Sequence, residues 1–181
     1  DRALEDLDQA ARLNPNHLNT RDNRGRVWLA KGEYDKALAD FEHALRIKPK
    51  HVNSYLNRGV AWERKGEFQK ALDDYRAALQ IDPNSRVAYS NIAWLQATCA
   101  NERFRDAKKA FENASRAYQL SPVTKSVDCD VLAAAYAESG DFEQAREWAA
   151  KAIGLTQDER YKRAVQSRLE LYKQGKPYHK R

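Results

Sequence analysis

The sequence predicts an all-α fold, a solenoid of stacked helix–turn–helix repeats. Three observations carry this. The segment NRGRVWLAKGEYDKALADFEHALRIKP from Asn23 aligns without a gap to NRGVAWERKGEFQKALDDYRAALQIDP from Asn57, an offset of 34 residues. Within each copy the small and apolar residues recur at steps of three and four, the period of one helix face. The 181 residues hold only seven Gly and five Pro, too few for the turns of an all-β domain, while 42% hydrophobic content is too high for a disordered chain.

Repeats numbered from Leu18, Val52, Arg86 and Ser126 justify each element in turn. In the first helix of a repeat, position 8 is small (Gly25, Gly59, Ala93, Ala133) and position 11 is Trp28, Trp62, Gln96 or Tyr136. Three residues apart, they share a face. Gly32, Gly66 and Gly140 follow, suited to the left-handed backbone that closes a helix. Tyr34, Phe68 and Phe142 then pack into the joint. Ala37, Phe41 and Ala44 form the apolar stripe of the second helix, and Pro49 and Pro83 stop it. Small residues at the crossing let the helices approach while large aromatics fill the grooves. Arg24 and Arg58 stand beside the position-8 glycines and are expected to pair with acidic residues of the adjoining helix.

Two places depart from regularity. Ala3, Leu7, Ala10 and Pro15 match the second half of a repeat, so the chain opens inside one; with no Met anywhere, a piece of a larger protein is expected. In the third repeat, Pro83 and Pro122 are 39 residues apart, five more than the period, and ATCANERFRD lies where the inter-helix turn belongs. The helix after it can be registered on Ala107 and Ala114 or on Ala110 and Ala117; both remain open, and a second helix about one turn longer than its neighbours is expected.

This pattern resembles the tetratricopeptide repeat, a 34-residue helix–turn–helix. The resemblance covers residues 1 to about 155. AWLQATCANERFRDAKKA, LAAAYAESGDFEQAREWAAKAI and RLELYKQGKPY further resemble the C-terminal module of some bacterial members. It implies a right-handed α-solenoid of helix–turn–helix repeats with a C-terminal capping helix. The expected layout is an array over 1–156 (a partial repeat 1–17, then repeats 18–51, 52–85, 86–125 and 126–156), a cap over 157–174 and a basic tail over 175–181. Val165, Leu169 and Tyr172 would face the fourth repeat, with Arg and Lys turned to water and the basic tail a solvated end.

The resemblance also implies a concave groove lined by positions 2, 5, 6, 9, 12 and 13 of the first helices, holding a peptide or partner segment. The expected binding residues are Asn23, Asn57, Asn91, Arg26, Asn53, Arg64 and Trp94. Asp22, Leu56, Ser90 and Asp130 at position 5 would also line it. Position 6 is Asn three times, a short donor and acceptor able to bond a peptide backbone without demanding a sequence. First helices about 10 Å apart would let one Asn address about every third residue of an extended peptide rising about 3.3 Å per residue. The same Asn could equally satisfy neighbours within the stack, and Trp94 could turn into the core. The carboxylate clamp of chaperone-tail binders matches only at Asn57 among Asp22, Arg26, Asn57, Val87 and Asn91, so that ligand is not expected.

The formal charge is +6, but residues 157–181 hold eight basic and three acidic groups, leaving the other 156 residues nearly neutral with 24 and 23. A surface that tracks phosphates would spread its charge along the fold, so nucleic-acid or anionic-surface binding through the C-terminal helix and tail is an alternative and not the first reading. Cys99 and Cys129 match no metal or redox spacing and would lie roughly 15 Å apart along parallel helices, so two free thiols are expected. The unpaired cysteines favour the cytoplasm over the periplasm. His17, His43, His51 and His179 are scattered, and no phosphate loop, nucleophile elbow or zinc motif occurs. No cofactor, metal or catalytic residue is expected, and no segment is apolar enough to span a membrane. The reading is a non-catalytic protein–protein interaction scaffold. An accessory module for an enzyme elsewhere in a longer chain is a further alternative, and self-association stays open.

Overall fold

The computed structural model describes residues 2–180. Ten α-helices and no strand are present among them: α1 (Arg2–Leu13), α2 (Leu18–Ala30), α3 (Tyr34–Ile47), α4 (Val52–Arg64), α5 (Phe68–Ile81), α6 (Arg86–Thr98), α7 (Ala107–Gln119), α8 (Ser126–Glu138), α9 (Phe142–Leu155) and α10 (Glu159–Lys173). A single 3-10 turn, Glu102–Phe104, precedes α7. The chain forms two compact units, Asp1–Pro83 with α1–α5 and Asn84–Arg181 with α6–α10. In each, even-numbered first helices alternate with odd-numbered second helices, and each helix packs on the next in sequence.

The hairpin turns share one geometry. Gly32, Gly66 and Gly140 take φ of 79°, 80° and 85°, a region closed to most side chains. The next amide reaches back to the position-11 carbonyl: Glu33 to Trp28 (3.0 Å), Glu67 to Trp62 (2.9 Å) and Asp141 to Tyr136 (3.0 Å). This closure satisfies carbonyls that the helix end leaves open and aims the chain into the second helix.

What lets the paired helices meet is the match between positions 8 and 24. A Cβ on Gly25 would lie 2.6 Å from the Phe41 ring, and one on Gly59 would lie 2.5 Å from the Tyr75 ring. Both rings are fully buried. In the second unit the same positions hold Ala93 with Ala114 and Ala133 with Ala149, all buried; a small ring-free side chain allows a methyl opposite. Ala37, Ala44, Ala71, Ala78, Ala145 and Ala152 have no exposed surface, as the apolar stripe of the second helices requires.

Arg24 and Arg58 pair with the adjoining helix as expected. Arg24 donates to Asp40 through Nε (2.7 Å) and Nη2 (2.6 Å) and to Asp8 through Nη1 (2.7 Å). Arg58 makes the equivalent fork on Asp74 at 2.8 and 2.7 Å. Burial pushes the Asp74 carboxyl up, with Arg58 opposing it.

The third repeat differs from expectation. α7 is not lengthened: it has 13 residues against 14 in α3, α5 and α9. The extra chain sits in the connection 99–106, because α6 ends without a glycine and Cys99 turns extended (φ −60°, ψ 134°). Arg105 staples this connection by donating to the carbonyls of Cys99 (2.9 Å) and Ala100 (3.3 Å) and to Glu138 (3.0 Å). Between the two registers, the stripe falls on Ala110, Ala114 and Ala117, each fully buried, while Ala107 is half-buried at the helix start.

α10 packs on α9 through Val165 and Tyr172, both without exposed surface, and the half-buried Leu169. Two expectations at this end are corrected. Arg168 does not face water; it is 8% exposed. The tail is not a solvated end: after Gly175 (φ 66°) the Lys176 amide closes on the Leu171 carbonyl, and residues 177–180 lie half-buried against the second unit. Cys99 and Cys129 are both buried, and neither is in a disulfide.

The ring-against-glycine contact yields a test. Gly59→Ala is expected to lower unfolding free energy by about 1–3 kcal/mol through overpacking, although Ala is the better helix former by about 1 kcal/mol. Gly154→Ala, on a helix position with no atom within 4 Å of the new Cβ, is expected to move the other way. Urea denaturation of both variants reads the two signs.

Candidate functional site

The first helices present one cleft in each unit. In the first unit it lies over α2 and α4, about 560 Å³ in volume. Leu29 and Val60 give it an apolar wall, Asn57 an amide, and Arg26 and Arg64 two exposed guanidinium groups. Arg26 and Arg64 form no hydrogen bond or ion pair with the described residues. Arg26 and Arg64, with Lys31 also on the lining, thus flank an apolar strip, an arrangement that accommodates a chain carrying carboxylates beside apolar side chains.

Below this wall lies a polar seam. Asp22, 8% exposed, accepts from Ser54 Oγ at 2.9 Å, and the Asn57 amide stands 3.3 and 3.4 Å from its two oxygens. The second distances are long, so Asn57 keeps capacity toward the cleft. Asn23 and Asn53 are exposed and do not line this cleft.

The second unit's cleft, about 280 Å³, is built across three first helices: Asn91 and Trp94 of α6, Val127 and Asp130 of α8, Tyr161 and Arg168 of α10. Its floor is a buried charge network. Arg168 donates to Asp130 through Nε (3.0 Å) and Nη2 (2.6 Å), and the Tyr161 hydroxyl donates to Asp130 at 2.9 Å. Burial pushes the Asp130 carboxyl up, against the pull of Arg168 and Tyr161. The same burial, with the Asp130 charge beside it, raises the Tyr161 hydroxyl far above its usual range. The Arg168 guanidinium lies 5.2 Å from the Trp94 ring centre, within cation–π range. The half-buried Asn91 amide makes no hydrogen bond with the described residues.

Arg26, Asn57 and Arg64 therefore share the first unit's cleft, and Asn91 and Trp94 share the second's. Trp94 lines the cleft while packing against the buried cluster that includes Ala93, Ala97 and Val131; it is half-buried and in ring contact with Tyr178, centroids 6.1 Å apart. The position-5 residues Asp22, Leu56, Ser90 and Asp130 are all buried. Ser90 and Asp130 still line the second unit's cleft, whereas Asp22 and Leu56 do not line the first unit's, Asp22 being taken up on the seam between α2 and α4 by Ser54 and Asn57. Sequence reasoning missed Tyr161, Arg168 and Tyr178. The available signal was Asp at position 5 of the first and fourth repeats, since a carboxylate on a seam needs a partner on the following first helix.

Among the described residues no group of three His, Cys, Asp or Glu is placed to hold a metal ion, and no helix is long and apolar enough to cross a membrane.

Comparison with known proteins gives a consistent fold. The tetratricopeptide repeat family matches residues 1–52 and 23–86, and again 129–159, together well over half the chain. No curated protein matches the sequence. Among solved structures, a thermophilic tetratricopeptide protein of Thermus thermophilus superposes with a TM-score of 0.76 at 18% identity, covering 93% of this chain and 89% of that one. PilF of Pseudomonas aeruginosa gives 0.71 at 21%, covering 87% and 68%. A chain of the APC/C hetero-tetramer Cut9–Hcn1 gives 0.82 at 14%, covering 93% of this chain and 32% of that one. At these identities the likeness is one of fold.

The Asp130 network is open to measurement. Arg168→Met strands a buried carboxylate and is expected to lower unfolding free energy by about 3–5 kcal/mol. Asp130→Asn in the same chain should restore part of the loss by removing the stranded charge. Lys173→Met, at an exposed side chain paired with Glu170, should change stability by less than about 0.5 kcal/mol. Similar small effects from all three in urea titrations would mean that Asp130 is solvated.

Proposed function

Because the chain belongs to the tetratricopeptide repeat family, whose members mediate protein–protein interaction, we propose that it is a non-catalytic scaffold whose first-helix faces hold an extended partner segment. The binding residues in this reading are Arg26, Asn57 and Arg64 in the first unit's cleft and Asn91 and Trp94 in the second's, with Asn23 and Asn53 at the exposed surface of the first unit. The observation that carries it is the cleft over α2 and α4, where two guanidinium groups that form no hydrogen bond or ion pair with the described residues flank Leu29 and Val60. Exposed cations held beside an apolar strip have no part in the stack's own packing. They suit a partner that brings acidic groups next to apolar ones.

Polyanion binding by the basic C-terminal end is the weaker reading. Arg168 is committed to Asp130, and His179 to Glu138 at 2.7 Å, so the basic groups of this end are partly spent within the fold.

The test is partner capture by the tagged chain from an extract of its source, compared with Arg26→Ala/Arg64→Ala. Both side chains are exposed, so stability should stay within about 0.5 kcal/mol of wild type. Retention of the partner is expected to fall at least tenfold. Undiminished retention at unchanged stability would move the docking surface off this cleft.

A further inference from the structure

The irregular third repeat builds a seat, and the chain's own tail sits in it. α6 ends without the glycine closure of the other first helices; the Cys99 and Asp106 amides take the Leu95 and Gln96 carbonyls, and the Thr98 carbonyl at the very end is met from elsewhere. The Lys180 amide reaches it at 2.8 Å. The inserted connection places Arg105 on Glu138, and the other oxygen of Glu138 meets His179 Nε2 at 2.7 Å. The Tyr178 ring lies against Trp94, 6.1 Å between centroids, with the Arg168 guanidinium 5.6 Å from it; the Lys180 ammonium stands 5.6 Å from the Trp94 ring. The chain over 177–180 thus crosses the C-terminal ends of α10, α8 and α6, and the contacts that hold it include a main-chain bond, a carboxylate contact and ring contacts.

We propose that this surface is a docking site for an extended segment of another protein bearing an aromatic residue followed at the second position by a cation, and that the tail is its built-in competitor. This rests on the reading of the first-helix faces as docking surfaces and adds the chemistry of the ligand. The seat selects through three features: Trp94 takes the aromatic ring, Glu138 a donor on the residue after it, and the Thr98 carbonyl the amide of the cationic residue, whose side chain returns over Trp94. The tail is joined to α10 through the closing turn at Gly175 and through Pro177, and its described residues form no helix or strand of their own. Residues 177–180 are half-buried and not enclosed, so the tail can exchange with a competitor, while its tether gives it an effective concentration on the order of millimolar. A partner segment of the same chemistry must displace it and would bind the intact chain more weakly than a chain whose tail has been released.

The probe is a fluorescein-labelled peptide with the sequence of residues 176–180, Lys-Pro-Tyr-His-Lys, followed by anisotropy. Full-length Tyr178→Ala/His179→Ala is expected to bind it at least tenfold more tightly than wild type, and adding Trp94→Ala to that variant should abolish binding. In wild type, hydrogen exchange at the Lys180 amide should be slowed relative to an unstructured chain and should speed up when unlabelled probe is added in excess. That measurement needs no variant and stands if the substitutions disturb folding. Equal affinity of wild type and the tail variant, binding indifferent to Trp94, or no binding to either chain overturns the proposal. So does Lys180 protection that vanishes on dilution, which would mean that the tail sits in a second copy. None of these readouts depends on Arg26 or Arg64, so failure here is separable from failure of the first unit's cleft.

Discussion

The structure depends on how closely two helices of one repeat can approach. That distance is set at a single crossing, where position 8 of the first helix meets position 24 of the second. In the first unit the crossing is a glycine under a buried ring, Gly25 with Phe41 and Gly59 with Tyr75. In the second it is alanine against alanine. Both solutions keep the contact filled without overlap, and close packing tolerates little else. With the crossing fixed, the remaining alanines of the second helices become fully buried and the first helices are left with one face free for other work.

Neighbouring first helices are held by a different chemistry. Their seams run through position 5, where Asp22 and Asp130 are buried. Each carboxylate is answered from the next first helix, Asp22 by Ser54 and Asn57, Asp130 by Tyr161 and Arg168. A buried, hydrogen-bonded charge contributes little to net stability but tolerates no other register, because a shift of one residue would strand it. The polar groups that position the helices also form the floors of the two clefts. Structural and candidate binding residues are therefore interleaved, and Asn57 serves the seam while facing the cleft.

Much of the fold was legible because its determinants are local and repeat. The 34-residue offset, the glycines at the turns and the alanine stripe each act within one hairpin, so Gly32, Gly66, Ala37 and Ala44 could be placed from spacing alone. Arg24 and Arg58 were legible for the same reason: an arginine in place of an apolar residue at a helix edge needs an acid on the adjoining helix. The clefts were legible only as a set of helix positions. Position 5 is buried on the edge of the groove: Ser90 and Asp130 reach the second unit's cleft and Asp22 and Leu56 do not reach the first unit's, a rotation of the helix that periodicity does not resolve. The third repeat was unreadable in detail because DAKKAFENASRAYQLSP offers small residues in two registers. Burial of Ala110, Ala114 and Ala117 chose between them, and the surplus residues went to a connection pinned by Arg105.

By itself the sequence determined the helical class, the pairing of helices, the turns and the small-residue crossings, since each follows from side chains a few residues apart on one helix or hairpin. Only the tertiary structure decided the fate of Arg168, Trp94 and the tail. Arg168 reads as a surface cation until Asp130 of α8, 38 residues away, is brought beneath it, and Tyr178 reads as a solvated end until the α6 terminus offers it a ring and its neighbour Lys180 a carbonyl. Those contacts join residues far apart in the chain, and their energy exists only once the helices between them have packed.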